Sequence, residues 1–226
     1  MRRRKLREAL VSGRFGKLTL GTVRVRWARH QAYYDQDSWR GTWSMDGGVL
    51  TNQASHHVDM LEWMMGGVES VFAKTTSALA DVETEDTAIV TLKFKSGALG
   101  IIEATTATRP KNLEGSISIL GEHGTVVIGG VAVNEMKTWI FEDDQEGDSD
   151  VLKEFSVNPP NVYGFGHQAY YEHVVDCVVN GSANLVDGLQ GRRSIEIISA
   201  IYESAETGKE VFLKFQPKHC RLGQKS

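Results

Sequence analysis

Two neighbouring histidines lie in a stretch whose spacing predicts a helix over about residues 49–65. At about 100° per residue, His56 shares one face of that helix with Asn52, Asp59 and Trp63. An imidazole beside a carboxylate and a carboxamide is held in one tautomer, which suits a general acid/base that works near neutral pH. The spacing makes His56 and Asp59 candidate catalytic residues. The alternative is an inert histidine on the helix surface.

The second histidine, His57, projects close to the apolar stripe of the same predicted helix. That stripe consists of side chains at helical spacing: Leu50, Ala54, Val58, Leu61 and Met65. We expect His57 to be a packed or capping side chain. Because adjacent side chains diverge by about 100° on a helix, we do not expect the two imidazoles to coordinate one metal ion. No H-E-x-x-H motif occurs, so the sequence predicts no metal site.

An aromatic loop with one central arginine precedes this helix. Arg40 lies between Trp39 and Trp43, and a guanidinium flanked by rings can hold a carboxylate or a phosphate. Tyr163 and His167 follow a proline-rich turn later in the chain. The alternative is a loop whose aromatic side chains only anchor it to a sheet.

The nearest match to a dinucleotide-binding fingerprint is G-x-G-x-x-A at residues 164–169. A proline-rich segment precedes it where the fingerprint requires a buried strand. We therefore expect no cofactor-binding residues in this chain.

Alternating apolar and polar residues predict strands joined by short turns. The predicted strands cover about residues 18–29, 68–79, 85–95, 98–107, 115–120, 124–128, 131–141 and 210–215. The predicted helices cover about 2–11, 49–65, 166–179 and 189–206. The acidic stretch 142–150 is expected to be a solvated loop. These elements predict an α+β fold with one mainly antiparallel, open sheet and helices packed on one face.

Composition narrows the class of protein. The 226 residues carry a formal charge of -4, which argues against a nucleic-acid partner. Cys177 and Cys220 form no CxxC pair, which favours a reducing compartment. No apolar run approaches the length of a membrane span, so we expect no membrane partner and a cytoplasmic location.

Several motifs resemble the Gfo/Idh/MocA oxidoreductases in the same order along the chain. The matching segments are residues 39–43, 47–59, Gly66, 85–88, 121–125, 166–167, 187–188 and 201–205. The likeness extends over about residues 5–214 and is greatest to the branch that oxidises nucleotide-linked amino sugars.

The resemblance implies a substrate domain that is normally the second half of a two-domain enzyme, with a fold like the C-terminal domain of glyceraldehyde-3-phosphate dehydrogenase. It implies a remnant interdomain helix in residues 1–17, one substrate-binding and oligomerisation domain in 18–215, and a tail in 216–226. The family binds NAD or NADP on an N-terminal Rossmann domain, which this chain lacks. We therefore expect no cofactor to bind this chain alone, and a separate Rossmann domain is a possible partner.

The resemblance assigns roles residue by residue. His56 matches the catalytic histidine of the family and Asp59 the acidic residue after it, while Asn52 stands where many members have aspartate. Arg40 would hold an anionic group of a sugar or nucleotide-sugar substrate. Weaker candidates for its hydroxyl groups are Tyr33, Tyr163 and His167.

Two other functions remain open at this point. One is a non-catalytic sugar-binding or oligomerisation module whose open sheet face pairs with another copy. The other is a cofactor-independent lyase or isomerase that uses His56, for which the sequence offers no partner base.

Overall fold

The computed structural model describes residues 2–156, 166–184 and 186–213. Its helices are α1 (Arg2–Val11), α2 (Gln31–Tyr34), α3 (Ser55–Met65), α4 (Asp148–Glu154), α5 (Gly166–Asn180) and α6 (Gly188–Thr207). Its strands are β1 (Leu18–Arg26), β2 (Val68–Thr76), β3 (Thr87–Phe94), β4 (Leu99–Thr105), β5 (Glu114–Gly121), β6 (Gly124–Gly129), β7 (Glu135–Phe141) and β8 (Val211–Phe212). No helix among these residues is long and apolar enough to cross a lipid bilayer.

The strands form one sheet in the order β7-β6-β5-β1-β4-β3-β2-β8. β1 lies near its middle, antiparallel to β5 and parallel to β4, whereas the other described pairs are antiparallel. The prediction of a mainly antiparallel sheet is confirmed. Because the chain reaches β4 only after α3 and the β2–β3 pair, one long connection brings α3 across the sheet next to β1.

Alternation along the strands separates a buried face from an exposed one. In β3, Ala88, Val90, Leu92 and Phe94 are buried, and Ile89 between them is exposed. This is the pattern of a sheet with one face against a core and the other open to solvent. The predicted open sheet is thus confirmed.

The buried face packs against α3, which crosses β1, and against α6, which crosses β2. α3 approaches β1 so closely that a Cβ on Gly21 would lie 2.6 Å from the Met65 side chain. A larger residue at position 21 would push the helix off the sheet. The small residue therefore fixes the position of α3 over β1.

The predicted start of α3 is wrong by several residues. Residues 49–54 form turns, and the helix begins at Ser55. The hydrogen-bond ladder is interrupted at Ala54, whose amide bonds to the Val49 carbonyl five residues back. Asn52 therefore does not share a helical face with His56.

The acidic stretch 142–150 is also corrected, because its end forms the first turn of α4. The carboxylate of Asp148 accepts hydrogen bonds from the Arg14 guanidinium at 2.8 Å and from the Trp139 indole at 2.7 Å. Both side chains of the ion pair are largely buried. An acidic run predicts solvent exposure only when no distant arginine reaches it.

Candidate functional site

A chain of hydrogen bonds joins two of the predicted substrate residues, Tyr33 and Asn52, through the side chain of Gln53. Gln53 donates to the Tyr33 hydroxyl at 3.4 Å and to the Asn52 side-chain oxygen at 3.1 Å. Asn52 in turn donates to Asp46 at 2.5 Å. The short helix α2 supplies Tyr33, and the turns before α3 supply the two amides. These polar groups, which come from α2 and from the turns in residues 46–53, meet in one place.

Two arginines lie against the same tyrosine ring. The guanidinium carbon of Arg40 is 4.4 Å from the centroid of Tyr33, and that of Arg29 is 5.1 Å from it. Arg40 also lies 4.5 Å from the centroid of Trp39 and donates to Asp37 at 3.1 Å. Cations over aromatic faces are stabilised by the ring quadrupole. The predicted Arg40 and Tyr33 are therefore in direct contact, with Arg29 as a further partner.

Arg40 also forms part of the wall of a cleft of about 560 Å³. Four carboxylates line that cleft as well: Asp35, Asp37, Asp81 and Glu83. Asp37 is already paired with Arg40, and Glu83 accepts from the Trp43 amide at 3.0 Å. These carboxylates repel an anion, so this cleft is not where an anionic ligand of Arg40 would be favoured.

His56 and Asp59 lie one turn apart on α3, and both side chains are exposed. In the part of the chain that the structure describes, neither makes a hydrogen bond or ion pair with another side chain. They follow Asn52 and Gln53 directly in the chain. The predicted pair is therefore open to a ligand and is not locked into the protein interior.

The two remaining predicted site residues, Tyr163 and His167, lie wholly or partly outside the described residues. Tyr163 lies outside the described residues. His167 is the second residue of α5, and its side chain lies outside them too.

His57 behaves as a packed residue, as predicted. It is 4% exposed, and its ring lies edge-on to Trp27 with centroids 5.7 Å apart. Neither ring nitrogen has a hydrogen-bond partner. Burial, with smaller effects of Arg3 and His56, lowers the pKa of His57 to about 4, so the imidazole is neutral at pH 7.

Behind the site lies a buried glutamate that sequence reasoning did not single out for a role. Glu85 is 4% exposed, and one of its oxygens accepts from the Leu50 amide and from the Tyr202 hydroxyl, each at 2.9 Å. Burial raises the pKa of Glu85 to about 7. A glutamate at the start of an apolar strand carries no sequence signal of burial, because the turn that covers it is distant in the chain.

Gln53 and Arg29 were also missed. Gln53 lies in a stretch that was predicted to be helical, where a glutamine is an ordinary surface residue. Arg29 lies in the predicted strand 18–29, whose alternation indicates only an exposed face. Their roles depend on the loop that folds Tyr33 back between them.

Neither a cluster of metal-ligating side chains nor a Rossmann-type crossover occurs among the described residues. No group of three or more His, Cys, Asp or Glu side chains among them is placed to hold a metal ion. The parallel pair β1–β4 is connected through α3 and two antiparallel strands, not through a glycine loop and a single helix.

Comparison with known proteins identifies the family. The family model described as "oxidoreductase family, C-terminal alpha/beta domain" of the Gfo/Idh/MocA group matches residues 7–213. A curated relative, the myo-inositol 2-dehydrogenase of Thermotoga maritima, is 33% identical over 151 residues, which are 64% of this chain and 41% of that protein.

Two solved structures are more similar in sequence. The WlbA dehydrogenase from Chromobacterium violaceum, in complex with NADH and UDP-GlcNAcA, is 44% identical with a TM-score of 0.86; the match covers 94% of this chain and 59% of that one. The WlbA dehydrogenase from Bordetella pertussis, in complex with the same two ligands, is 41% identical with a TM-score of 0.86 and coverages of 96% and 61%. The chain thus spans less than two thirds of the length of these relatives. The match of the family model to nearly the whole chain shows that this protein belongs to the Gfo/Idh/MocA oxidoreductases and corresponds to their C-terminal domain.

Proposed function

We propose that this chain is the substrate-binding domain of an NAD(P)-dependent oxidoreductase that acts on a hydroxyl group of a sugar, most specifically a nucleotide-linked sugar. The observation that carries the proposal is the contact of Arg29 and Arg40 with Tyr33, whose hydroxyl is linked through Gln53 to Asn52. This arrangement puts two cations beside the segment that leads into His56. The two WlbA structures that hold UDP-GlcNAcA support the same substrate class.

The two guanidinium groups would bind the anionic part of the substrate. Arg40 donates through Nε to Asp37, and Arg29 donates through Nη1 to the Ala28 carbonyl at 2.8 Å and to the Asn112 side-chain oxygen at 3.4 Å. Among the described residues, the Nη groups of Arg40 and the Nε and Nη2 groups of Arg29 make no hydrogen bond, and they can donate to a diphosphate or a carboxylate. Arginine suits such groups because its planar donors match their oxygens in pairs.

His56 would take the proton of the sugar hydroxyl that is oxidised. An exposed imidazole on a helix can accept this proton and release it to water. Asp59, one turn later, would orient the imidazole once the substrate is bound. Tyr33 and Asn52 would hold neighbouring hydroxyl groups of the sugar, and Tyr163 and His167 remain candidates for the same role.

The hydride acceptor would come from outside the described residues. A nicotinamide cofactor supplies that acceptor in a complete enzyme, and we propose that a separate dinucleotide-binding domain carries it. In this proposal residues 1–17 are the connection to that domain, 18–215 the substrate domain and 216–226 a tail. The chain alone is then inactive and binds neither NAD nor NADP tightly.

Calorimetric titration of the chain tests this proposal directly. We expect UDP-linked N-acetylglucosaminuronic acid to bind with one site per chain and NADH to give no measurable heat at the same concentrations. Arg40→Ala should weaken substrate binding by about tenfold or more, since a charge-assisted hydrogen bond contributes about 1.5–3 kcal/mol. The matched control is Arg24→Ala on the exposed sheet face, which should bind as the unmodified chain does. Tight NADH binding, or equal affinity of the Arg40 and Arg24 variants, would contradict the proposal.

A second candidate function, a non-catalytic association module, has its own supporting observation. The exposed sheet face carries apolar side chains, among them Phe72, Ile89, Leu99 and Ile101, that are 37% to 58% exposed. Beside them, Arg26 binds Glu103 at 2.5 Å and Glu114 at 3.2 Å. A face with apolar residues and both signs of charge can pair with its own copy about a two-fold axis. Homo-oligomerisation through this face is compatible with the enzymatic proposal.

A further inference from the structure

Glu85 contacts the turn before α3 through both its side chain and its backbone. Its carboxylate accepts from the Leu50 amide, and its carbonyl oxygen accepts from the Val49 amide, each at 2.9 Å. Gly48 lies so close that a Cβ there would be 2.2 Å from the Glu85 carbonyl oxygen and from its carboxylate. Three consecutive residues of the turn are therefore held by one glutamate.

The same carboxylate is connected to α6. Tyr202 donates to Glu85 at 2.9 Å, and its hydroxyl accepts from the Gly48 amide at 3.3 Å. Both side chains are buried, and the Tyr202 ring packs edge-on to Trp43 with centroids 5.2 Å apart. The turn thus sits on a polar pair from β3 and α6 within an otherwise apolar core.

This turn places the groups to which the proposed function assigns substrate contacts. Asn52 and Gln53 follow Leu50 by two and three residues. The backbone amide of Gln53 donates to the Val49 carbonyl at 3.2 Å. A shift of Leu50 would therefore move both side-chain amides and the first turn of α3. We propose that Glu85, through its contacts with Gly48, Val49 and Leu50, is a positioning residue that sets the geometry of the substrate site; this inference rests on the proposed function of that site.

The protonation state of Glu85 couples this geometry to pH. The titratable groups that face the carboxyl are the Tyr202 hydroxyl and Asp86, and neither supplies a positive charge. The second carboxyl oxygen is buried and has no hydrogen-bond partner. Because burial raises the pKa of Glu85 to about 7, the carboxyl gains a buried charge with no cation beside it as the pH rises through neutrality. The donors on its first oxygen offset only part of the cost of burying that charge, so we expect the turn to be best ordered in the neutral form.

Two variants separate the charge of Glu85 from its hydrogen bonds. Glu85→Gln keeps one oxygen that can accept from Leu50 and Tyr202, but it cannot ionise. Glu85→Leu has a similar volume and offers no acceptor, so it leaves two buried donors without a partner. The Gln variant is expected to fold as the unmodified chain does, and it carries the test if the Leu variant does not fold.

The ligand-independent readout is the pair of side-chain amide resonances of Asn52 and Gln53 in ¹⁵N-labelled chain. In the unmodified chain we expect both to shift together between pH 6 and 8, and in Glu85→Gln we expect no such shift. Binding of UDP-linked N-acetylglucosaminuronic acid, measured by calorimetry, should weaken about threefold to tenfold over the same range in the unmodified chain only. Glu85→Leu, where folded, should bind at least about tenfold more weakly at every pH.

The outcomes distinguish this inference from the proposed function. If the amide shifts occur as expected and no sugar nucleotide binds at any pH, the positioning role stands and the proposed function fails. If the sugar nucleotide binds and the unmodified and Gln chains show the same pH dependence in both measurements, the positioning role of Glu85 is overturned and the proposed function stands.

Discussion

Two adjacent residues show how strongly position decides the chemistry of a side chain. His56 is exposed on α3 and can exchange protons with a ligand, whereas His57 is buried against Trp27 with both nitrogens unpaired. About 100° of rotation along a helix separates them. Burial keeps the His57 imidazole neutral at pH 7. Burial lowers the free energy of unfolding through this titration at acidic pH, where the unfolded chain binds a proton at His57 and the folded chain does not.

Replacing His57 by leucine should remove that cost. The pKa of the imidazole falls from 6.5 in an unfolded chain to about 4 in the folded one, so the folded state loses stability as the pH falls through this range. By linkage, the unmodified chain should lose about 2 kcal/mol of unfolding free energy from this residue between pH 7 and 5. At pH 7 the free energy of unfolding of His57→Leu should differ from that of the unmodified chain by less than about 1 kcal/mol. At pH 5 the variant should be the more stable of the two.

Urea unfolding at the two pH values measures this difference. His56→Leu is the matched control, and because that side chain is exposed it should change the unfolding free energy by less than about 0.5 kcal/mol at either pH. An equal response of the two variants to pH would show that His57 is not the buried neutral group described here.

At this scale, a sequence indicates residue types more readily than contacts. It selected Tyr33, Arg40 and Asn52 for a substrate site, and the structure brings them together. It did not select Gln53, which makes the connection between them, because a glutamine in a predicted helix carries no distinguishing signal. The roles of His56 and Asp59 rest on resemblance and stay predictions.

At the scale of elements, strand prediction succeeded because alternation is a local property. The position of α3 was predicted correctly at its end, where Gly66 stops the helix, and wrongly at its start. Val49 and Leu50 have helical spacing, but their amides bond to Glu85, which lies some thirty-five residues away. Such a contact cannot be inferred from a periodic pattern. The same reason explains why the first residues of α4 fell within a predicted loop.

The attachment of α4 to the rest of the fold depends on one aspartate in its first turn. Asp148 binds Arg14 and Trp139, whereas Asp150 in the same turn is exposed. Asp148→Asn should therefore lower the unfolding free energy by about 1–3 kcal/mol at pH 7, the range for a lost charge-assisted hydrogen bond. The Arg14 guanidinium lowers the pKa of Asp148, so this stabilisation should persist at neutral pH and be lost below about pH 4.

Asp150→Asn is the control for that measurement, since it removes an equal charge from the same end of the helix. Its effect should stay below about 0.5 kcal/mol in thermal or urea unfolding. If Asp148→Asn and Asp150→Asn lower the unfolding free energy equally, the stabilisation comes from the helix dipole and not from the contact with Arg14.

At the scale of the whole molecule, the fold class and the order of elements were predicted from the sequence, but the sheet order was not. Local alternation indicates strands and short turns indicate hairpins, yet nothing local shows that β1 lies between β4 and β5. The exposed face of that sheet carries apolar side chains that no described element covers. Its apolar and charged residues face the same way on neighbouring strands, since Glu103 on β4 lies opposite Arg24 on β1 and Ile89 on β3.

Association through this face should be sensitive to one buried charge. We expect the chain to sediment as a dimer or a larger oligomer, and Ile101→Glu, in the middle of the face, to sediment as a monomer. Val11→Glu, at an exposed position on α1, should leave the oligomer intact. A monomeric unmodified chain at tens of micromolar in sedimentation velocity would contradict the prediction.

The central position of β1 also has a consequence for synthesis of the protein. Of the strands in this sheet, β1 is synthesised first, but its neighbours in the sheet lie in residues 99–121. Until β4 and β5 emerge, β1 exposes unpaired amides and carbonyls on both edges, while β2 and β3 can already pair with each other. The central pairings of the sheet are therefore formed late and across a long stretch of chain. We expect chains that end before Gly121 to leave β1 unpaired and to aggregate more readily than the whole chain.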